Sequence, residues 1–487
     1  MANKQHLTMT SAWQSKIRSV LWFSFLSLCI IASLSILSAP VFSTGQSQIE
    51  EKYPVQTAPE KCISSSGSPL PADRSFTASQ YGSSSDFPIT ASVSRIESNA
   101  SLFRINYSIS PSYDGNLQLK PLKGAAPVEN HGFVKGSFGS GYIWNKSTRT
   151  PSLVFELVSF EDGLEYPRGE NWMIGPSLQH TGNVTLQMNP NGSIGPDFMY
   201  IGDYSTEIKK VGCQKLLLVV PDPLKPELSV SKSRIVNTVA ESSRRLNVGA
   251  ARNVVRMYAV EGSLGQYGNN EPSGYTTTSG NFLATASQGF DRADNVWIHE
   301  YVHTRQDYIA ISGSQWTVEG TATYLTARLA VEQGLATPRQ YDSVLARSEV
   351  LPNGTSLNEN HQRTKYAYFW GASTLSSLEH ELDESNATIE DLLRFMNRQA
   401  TVQQPMLDDW SKERTNKNYS LHTVVFSGKS PEPRYLLGPS WLPPEARIVI
   451  PLFATLPLRI FSLALLIISL YRLNEGYVGI SLEDIQD

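Results

Sequence analysis

The sequence predicts an α+β chain: an antiparallel β-sandwich, then a mostly helical region, with a hydrophobic membrane segment on either side. Three observations carry this. Between residues 86 and 221, short runs of alternating apolar residues are separated by turn residues at short intervals, the pattern of a sandwich. From about residue 296 to 401 the pattern becomes helical. Apolar runs at 20–42 and 448–471 bracket both regions. The 487 residues leave room for two or three domains. A net charge of −4 and the lack of any dense Lys/Arg run argue against a nucleic-acid partner.

Residues 1–43 read as an N-terminal anchor or signal segment. Lys4, Lys16 and Arg18 precede the apolar run and belong on the cytoplasmic side. An uncleaved anchor is favoured, although the stretch from Ser38-Ala39-Pro40 to Thr44-Gly45 also suits a cleavage site. Residues 44–83, rich in Ser, Pro and Gly, read as a stalk. In the sandwich, 84–222, the segments Ile89-Thr90-Ala91-Ser92-Val93, 102–109 and 152–157 alternate. Asn183-Val184-Thr185-Leu186-Gln187-Met188 follows a turn, and Lys215-Leu216-Leu217-Leu218-Val219-Val220 closes the region at the boundary Pro221-Asp222-Pro223.

Residues 223–405 form the next domain. Ile235, Val236, Val239 and Leu246 place a helix over 231–246, and 252–260 reads as a strand. A Gly-, Asn- and Ser-rich loop spans 261–280, and 281–287 reads as a short edge strand. Asp291 or Asp294 is placed to cap the helix that follows. Residues 406–446 are a linker and 473–487 a polar tail. The hydrophobic segment between them, 447–472, contains Pro451, Pro457 and Arg459. A kinked span, an interfacial helix and a buried core helix all remain open for it.

Cys29 lies in the first apolar run, which leaves Cys62 and Cys213 as the cysteines between the runs. Outside the cytoplasm they can pair; two unpaired thiols are the alternative. Eight glycosylation sequons, at Asn99, Asn106, Asn145, Asn183, Asn191, Asn353, Asn386 and Asn418, all fall between the apolar runs. These features agree with a cell-membrane protein, held by lipid through its hydrophobic segments, whose main body faces the extracytoplasmic side.

The chemistry concentrates in His299-Glu300-Tyr301-Val302-His303. Histidines at i and i+4 share one helix face, a spacing that can hold one Zn²⁺ ion, with Glu300 beside them as general base. Glu319, sixteen residues past His303, is the third candidate ligand. Such a site activates water for attack on a carbonyl, and Glu300 would pass the proton on to the leaving amine of a peptide substrate. The connection between the two ligand-bearing helices must be tight near Ser312-Gly313-Ser314. Trp297 and Trp316 are expected to brace those helices, and Arg305 to form an ion pair. His361 and His380 read as surface or packing residues.

These segments resemble the gluzincin metallopeptidases, which combine HExxH with a downstream glutamate, and within them the aminopeptidase N and glycyl aminopeptidase families. Trp316-x-x-Glu319-Gly320-x-Ala322-x-Tyr324 is similar to the ligand helix of both. Tyr368-Phe369-Trp370-Gly371-Ala372 resembles their tyrosine-x-x-glycine segment, which implies that Tyr368 donates to the oxyanion, with Tyr366 as the fallback. Thr388-Ile389-Glu390-Asp391-Leu392-Leu393-Arg394 looks like the segment that follows. The resemblance spans about residues 80 to 400 and implies a thermolysin-like catalytic domain for 223–405. It also marks departures. The Gly-x-Met-Glu-Asn strand that binds a substrate's free amine has its nearest counterpart in Gly280-Asn281-Phe282-Leu283-Ala284, which lacks the acid. The aspartate four residues past the ligand glutamate of thermolysin-like enzymes is Thr323; Asp307 could support the ligands instead, although a solvated carboxylate at the helix end is the favoured reading for it. The rival reading is a surface binding or adhesion glycoprotein whose zinc site is inactive or structural.

Overall fold

The computed structural model describes residues 88–416, apart from 162, 182, 263, 266–272, 312 and 351–365. Both apolar runs, the stalk, Cys62, Asn353, Asn418 and His361 lie outside the described residues. Among the described residues, no helix is long and apolar enough to cross a membrane.

The alternating segments become strands. β1 (Ile89–Ile96) and β2 (Asn99–Ile109) pair antiparallel, with the apolar residue of each couplet buried. With β3 (Ala125–His131), β4 (Ser152–Leu157) and β5 (Val184–Asn189) they form a sheet of order β5-β1-β2-β4-β3. The sheet is not wholly antiparallel, because β5 runs parallel to β1. Its inner face packs on two smaller sheets. Tyr107 meets Phe133 at 5.1 Å between ring centroids, and Tyr142 meets Phe155 edge-on at 5.5 Å.

The expected boundary at Pro221 does not divide the sheets. β6 (Tyr204–Val211) and β7 (Gln214–Pro221) form a hairpin. β7 then pairs parallel with β8 (Val254–Val260). With β9 (Gly274–Thr276) and β10 (Phe282–Thr285) they make one mixed sheet of order β6-β7-β8-β10-β9. Alternation along β7 explains the placement. Leu216, Leu218 and Val220 join the core under the helices, whereas Val219 joins the core of the strand region. A run apolar on both faces belongs inside, between two layers. The segment expected as an edge strand, β10, is likewise central and fully buried, and β9 is the edge instead.

Helix α1 (Lys232–Arg245) is capped by Ser231, whose hydroxyl accepts from Arg234 N. α2 (Val296–His303) and α3 (Trp316–Glu332) follow. Between them, Ile309–Ala310 pairs with Thr401–Val402. α4 (Pro338–Leu345), a π-helical turn (Tyr366–Trp370), α5 (Gly371–Leu382), α6 (Ile389–Met396) and α7 (Gln404–Thr415) complete the described chain. α3 is buried on nearly every side, as its apolar composition requires.

α3 and α5 cross backbone to backbone. A Cβ on Gly371 would stand 2.8 Å from Gly320 Cα and 3.1 Å from a ring carbon of Trp316. Gly371→Ala is therefore expected to destabilise the protein by about 1–3 kcal/mol through overpacking. Urea unfolding measures this, and unchanged stability would contradict so close a crossing.

Candidate metal centre

The helix bearing the two histidines is short and firmly held. Its N-cap is Asn295, not Asp291 or Asp294: the Asn295 side chain accepts from Ile298 N at 3.2 Å and donates to Phe290 O at 2.7 Å. Asp291 and Asp294 pair with arginines instead. Trp297, Ile298, Tyr301 and Val302 anchor the helix in the core. The Tyr301 hydroxyl donates to Gln214 Oε1 of β7 at 2.7 Å, which ties the helix to the sheet. His299 and His303 are left toward a cavity of about 610 Å³.

Glu319 arrives in the first turn of α3, where the helix dipole favours a carboxylate. The Nε2 atoms of His299 and His303 lie 3.1 Å apart, and Glu319 Oε2 lies 3.4 and 3.2 Å from them. Three donors on a tetrahedron with bonds of about 2.0–2.1 Å are about 3.3 Å apart, so the triad has the dimensions of a zinc site. Glu319 Oε2 is also buried without a well-formed hydrogen bond, an arrangement that a cation would relieve. Burial raises the Glu319 pKa, but the imidazoles of His303 and His299 outweigh it and hold the carboxyl well below the usual range. Burial lowers that of His303, yet the Glu319 carboxylate pushes it up to about 9.

Glu300 is 5% exposed and sits against the edge strand. The Thr276 hydroxyl lies 2.7 Å from Glu300 Oε2 and 2.9 Å from the Glu300 carbonyl oxygen, and can donate to either. A side chain at Gly274 would fall inside contact distance of the carboxyl group, so glycine there leaves the space the acid fills. Burial pushes the Glu300 pKa up, and the two histidines offset this only in part.

Tyr368 lines the same cavity, its ring stacked on His299 at 5.7 Å and 8°. Tyr366 packs edge-on to Trp370 at 5.3 Å. Asp307 does not support the ligands: it pairs with Arg252 at 2.8 Å. Gln306 has that place, with Oε1 2.8 Å from His303 Nδ1 and Nε2 donating to Val318 O at 2.8 Å. Its position three residues after His303, one turn on, is the only sequence signal that marks it. Thr276 and Gly274 had none.

Arg305 is buried and donates to the carbonyls of Ala250 and Leu246 and to the Tyr301 hydroxyl. Trp316 braces α3 by donating to Gln404 Oε1 at 2.9 Å. His380 is exposed. Glu390, in the segment after the tyrosine, pairs with the buried Arg328 of α3. Gly280 to Ala284 leads into the central strand β10; the strand beside Glu300 is Gly274–Thr276. Cys213 is disulfide-bonded, and its expected partner Cys62 lies outside the described residues. The six sequon asparagines among the described residues, Asn99, Asn106, Asn145, Asn183, Asn191 and Asn386, are all exposed.

No family model and no curated protein matches this sequence. Among solved structures, the chain is similar to an aminopeptidase N family protein from Idiomarina loihiensis. The identity is 13%, over 66% of this chain and 73% of that one, with a TM-score of 0.46. It is also similar to an M1 zinc metallopeptidase from Deinococcus radiodurans, at 14% identity over 71% and 94% of the two chains, with a TM-score of 0.42. A third is the Legionella pneumophila aminopeptidase A, at 10% identity over 72% and 50%, with a TM-score of 0.39. Likenesses of this degree do not carry the chemistry, which rests on the residues themselves.

Replacing Gln306 by Ala removes the partner that orients His303. Zinc affinity is expected to fall by about 10–100-fold, read by competition with a chromophoric chelator. Unchanged affinity would remove Gln306 from the site.

Proposed function

We propose that this protein is a membrane-anchored zinc metallopeptidase whose catalytic region faces the extracytoplasmic side. One observation carries the reading. The three donor atoms stand at tetrahedral spacing, and a buried carboxylate, Glu300, is fixed on the same helix next to the first of them. A structural zinc site has no use for an acid so placed, which counts against the binding-protein alternative. The bracketing apolar runs and exposed sequons support the anchored, external location.

His299, His303 and Glu319 would hold the ion, which supplies Lewis acidity toward a carbonyl oxygen and toward water. Glu300 takes the proton of the attacking water and returns it to the leaving amine. The seat described above suits both proton transfers. Thr276 fixes one carboxylate oxygen, and burial raises the proton affinity of the carboxyl group. Tyr368, stacked on His299, offers its hydroxyl to the oxyanion. Among the described residues β9 is the edge strand of its sheet and lines the cavity, where an extended peptide can be added as a strand.

Glu300→Gln is expected to leave about one zinc per chain bound and to cut turnover by about 10²–10⁴. Retained peptidase activity in that variant overturns the mechanism, and absence of zinc from the folded wild type overturns the site. Tyr368→Phe is expected to lower kcat by about 10²–10³ with zinc content unchanged; an unaltered kcat would remove Tyr368 from the reaction. Acetylating the N-terminus of a cleaved peptide distinguishes the two modes of action: an aminopeptidase stops and an endopeptidase continues.

A further inference from the structure

We infer that the cavity wall beyond Tyr368 is a subsite for an acidic side chain of the substrate, with Arg347 as its cation. This rests on the peptidase reading and names the substrate class for it.

Among the described residues, the carboxylates and guanidiniums lining the cavity are those of Asp294, Glu300, Glu319, Arg252 and Arg347. Glu300 and Glu319 belong to the metal centre. Arg252 is nearly buried and committed to Asp307. That leaves Asp294 and Arg347. Asp294 is shared by two guanidiniums. Arg292 meets both of its carboxylate oxygens, and Arg347 Nη1 approaches Oδ2 at 3.0 Å. Two cations on one anion leave a net charge of +1. The bidentate Arg292 satisfies the carboxylate, so the surplus resides on Arg347, which engages Asp294 through one nitrogen and keeps 41% of its side chain exposed.

Arg347 is also within reach of the metal centre. Its guanidinium lies over the Phe369 ring at 5.4 Å, and Phe369 adjoins Tyr368, which stacks on His299. A chain of direct contacts therefore leads from the first histidine to the unspent cation.

A second observation points to a polar ligand in the same cavity. Thr323 and Thr326 follow Glu319 at i+4 and i+7, which puts all three on one stripe of α3. Both threonines line the cavity, at 6% and 1% exposure, and neither hydroxyl has a hydrogen-bond partner among the described residues. Helical threonines usually satisfy themselves on the carbonyl one turn back. Two that do not, on the wall of a cavity that also holds Arg347, are buried hydroxyls without an acceptor. A carboxylate accepts from hydroxyls and from a guanidinium fork alike. A cationic side chain meets repulsion from Arg347, and an apolar one leaves the hydroxyls buried and unmet.

The test uses the full-length zinc-loaded protein and matched peptides in which Glu is exchanged for Gln, position by position, around the cleaved bond. At one position kcat/KM is expected to favour Glu over Gln by about tenfold or more. Arg347→Gln should collapse that ratio to near unity, and Arg347→Lys should restore part of it. The ratio is internal to each variant, so partial loss of folded protein does not affect it. Cleavage with no Glu preference, or a preference that survives Arg347→Gln, overturns the subsite and leaves the peptidase reading standing. If no peptide is cleaved, the peptidase reading fails, and calorimetry of the same peptides on zinc-loaded Glu300→Gln protein decides the subsite. Tighter binding of the Glu peptide upholds it; equal binding overturns it.

Discussion

Everything at this site depends on bringing one buried carboxylate against two imidazoles across a helix crossing. Glu319 comes from α3 and the histidines from α2, and their donor atoms meet within 3.4 Å. A carboxylate moved out of water costs several kcal/mol unless it is compensated. Here the imidazoles compensate it without metal, and an ion would do so with metal. The backbone geometry that permits this is local. Gly320, the residue after the ligand, presses against Gly371, and Trp316 is pinned to Gln404. A bulkier residue at either glycine pushes α3 away and takes Glu319 with it.

Glu300, the proposed base, is held from the sheet side as well. Thr276 positions Glu300, so the edge strand must itself be fixed. Its continuing turn is held by Asp197 of the strand region, which accepts from Thr277 Oγ1 at 2.6 Å, from Asn281 Nδ2 at 2.7 Å and from Ser279. The carboxyl group of Glu300 thus has a support that reaches back to the strand region, in addition to the helix it shares with His299 and His303.

Much of this was legible in the sequence. The i, i+4 histidines and the glutamate sixteen residues on are a local spacing that helix geometry turns into a site. The strand alternation of 89–93 and 102–109 and the helix over 231–246 were legible for the same reason: each pattern is set by near neighbours. What failed was long-range. The run Leu216 to Val220 has no property that says which sheet it will join, and its pairing with Val254–Val260 is decided across a helix and a loop. Asp294 as a cap lost to Asn295, one residue nearer the helix, because two arginines claimed it. Asp307 lost to Gln306 because Arg252, 55 residues earlier, pairs with the aspartate. Partners that distant leave no mark on local pattern.

The pairing of β7 with β8 has a consequence for how the molecule comes apart. One face of that sheet carries Leu216, Leu218, Met257 and Phe282 into the helical core, and the other carries Val219, Tyr258 and Leu283 into the strand core. Neither core can be solvated without exposing a face of the same five strands. The two halves are therefore coupled into a single cooperative unit, and the slowest amide protons to exchange should cluster on β7 and β8. Cutting the chain between those strands would leave each fragment with a raw apolar sheet edge, a template for aggregation.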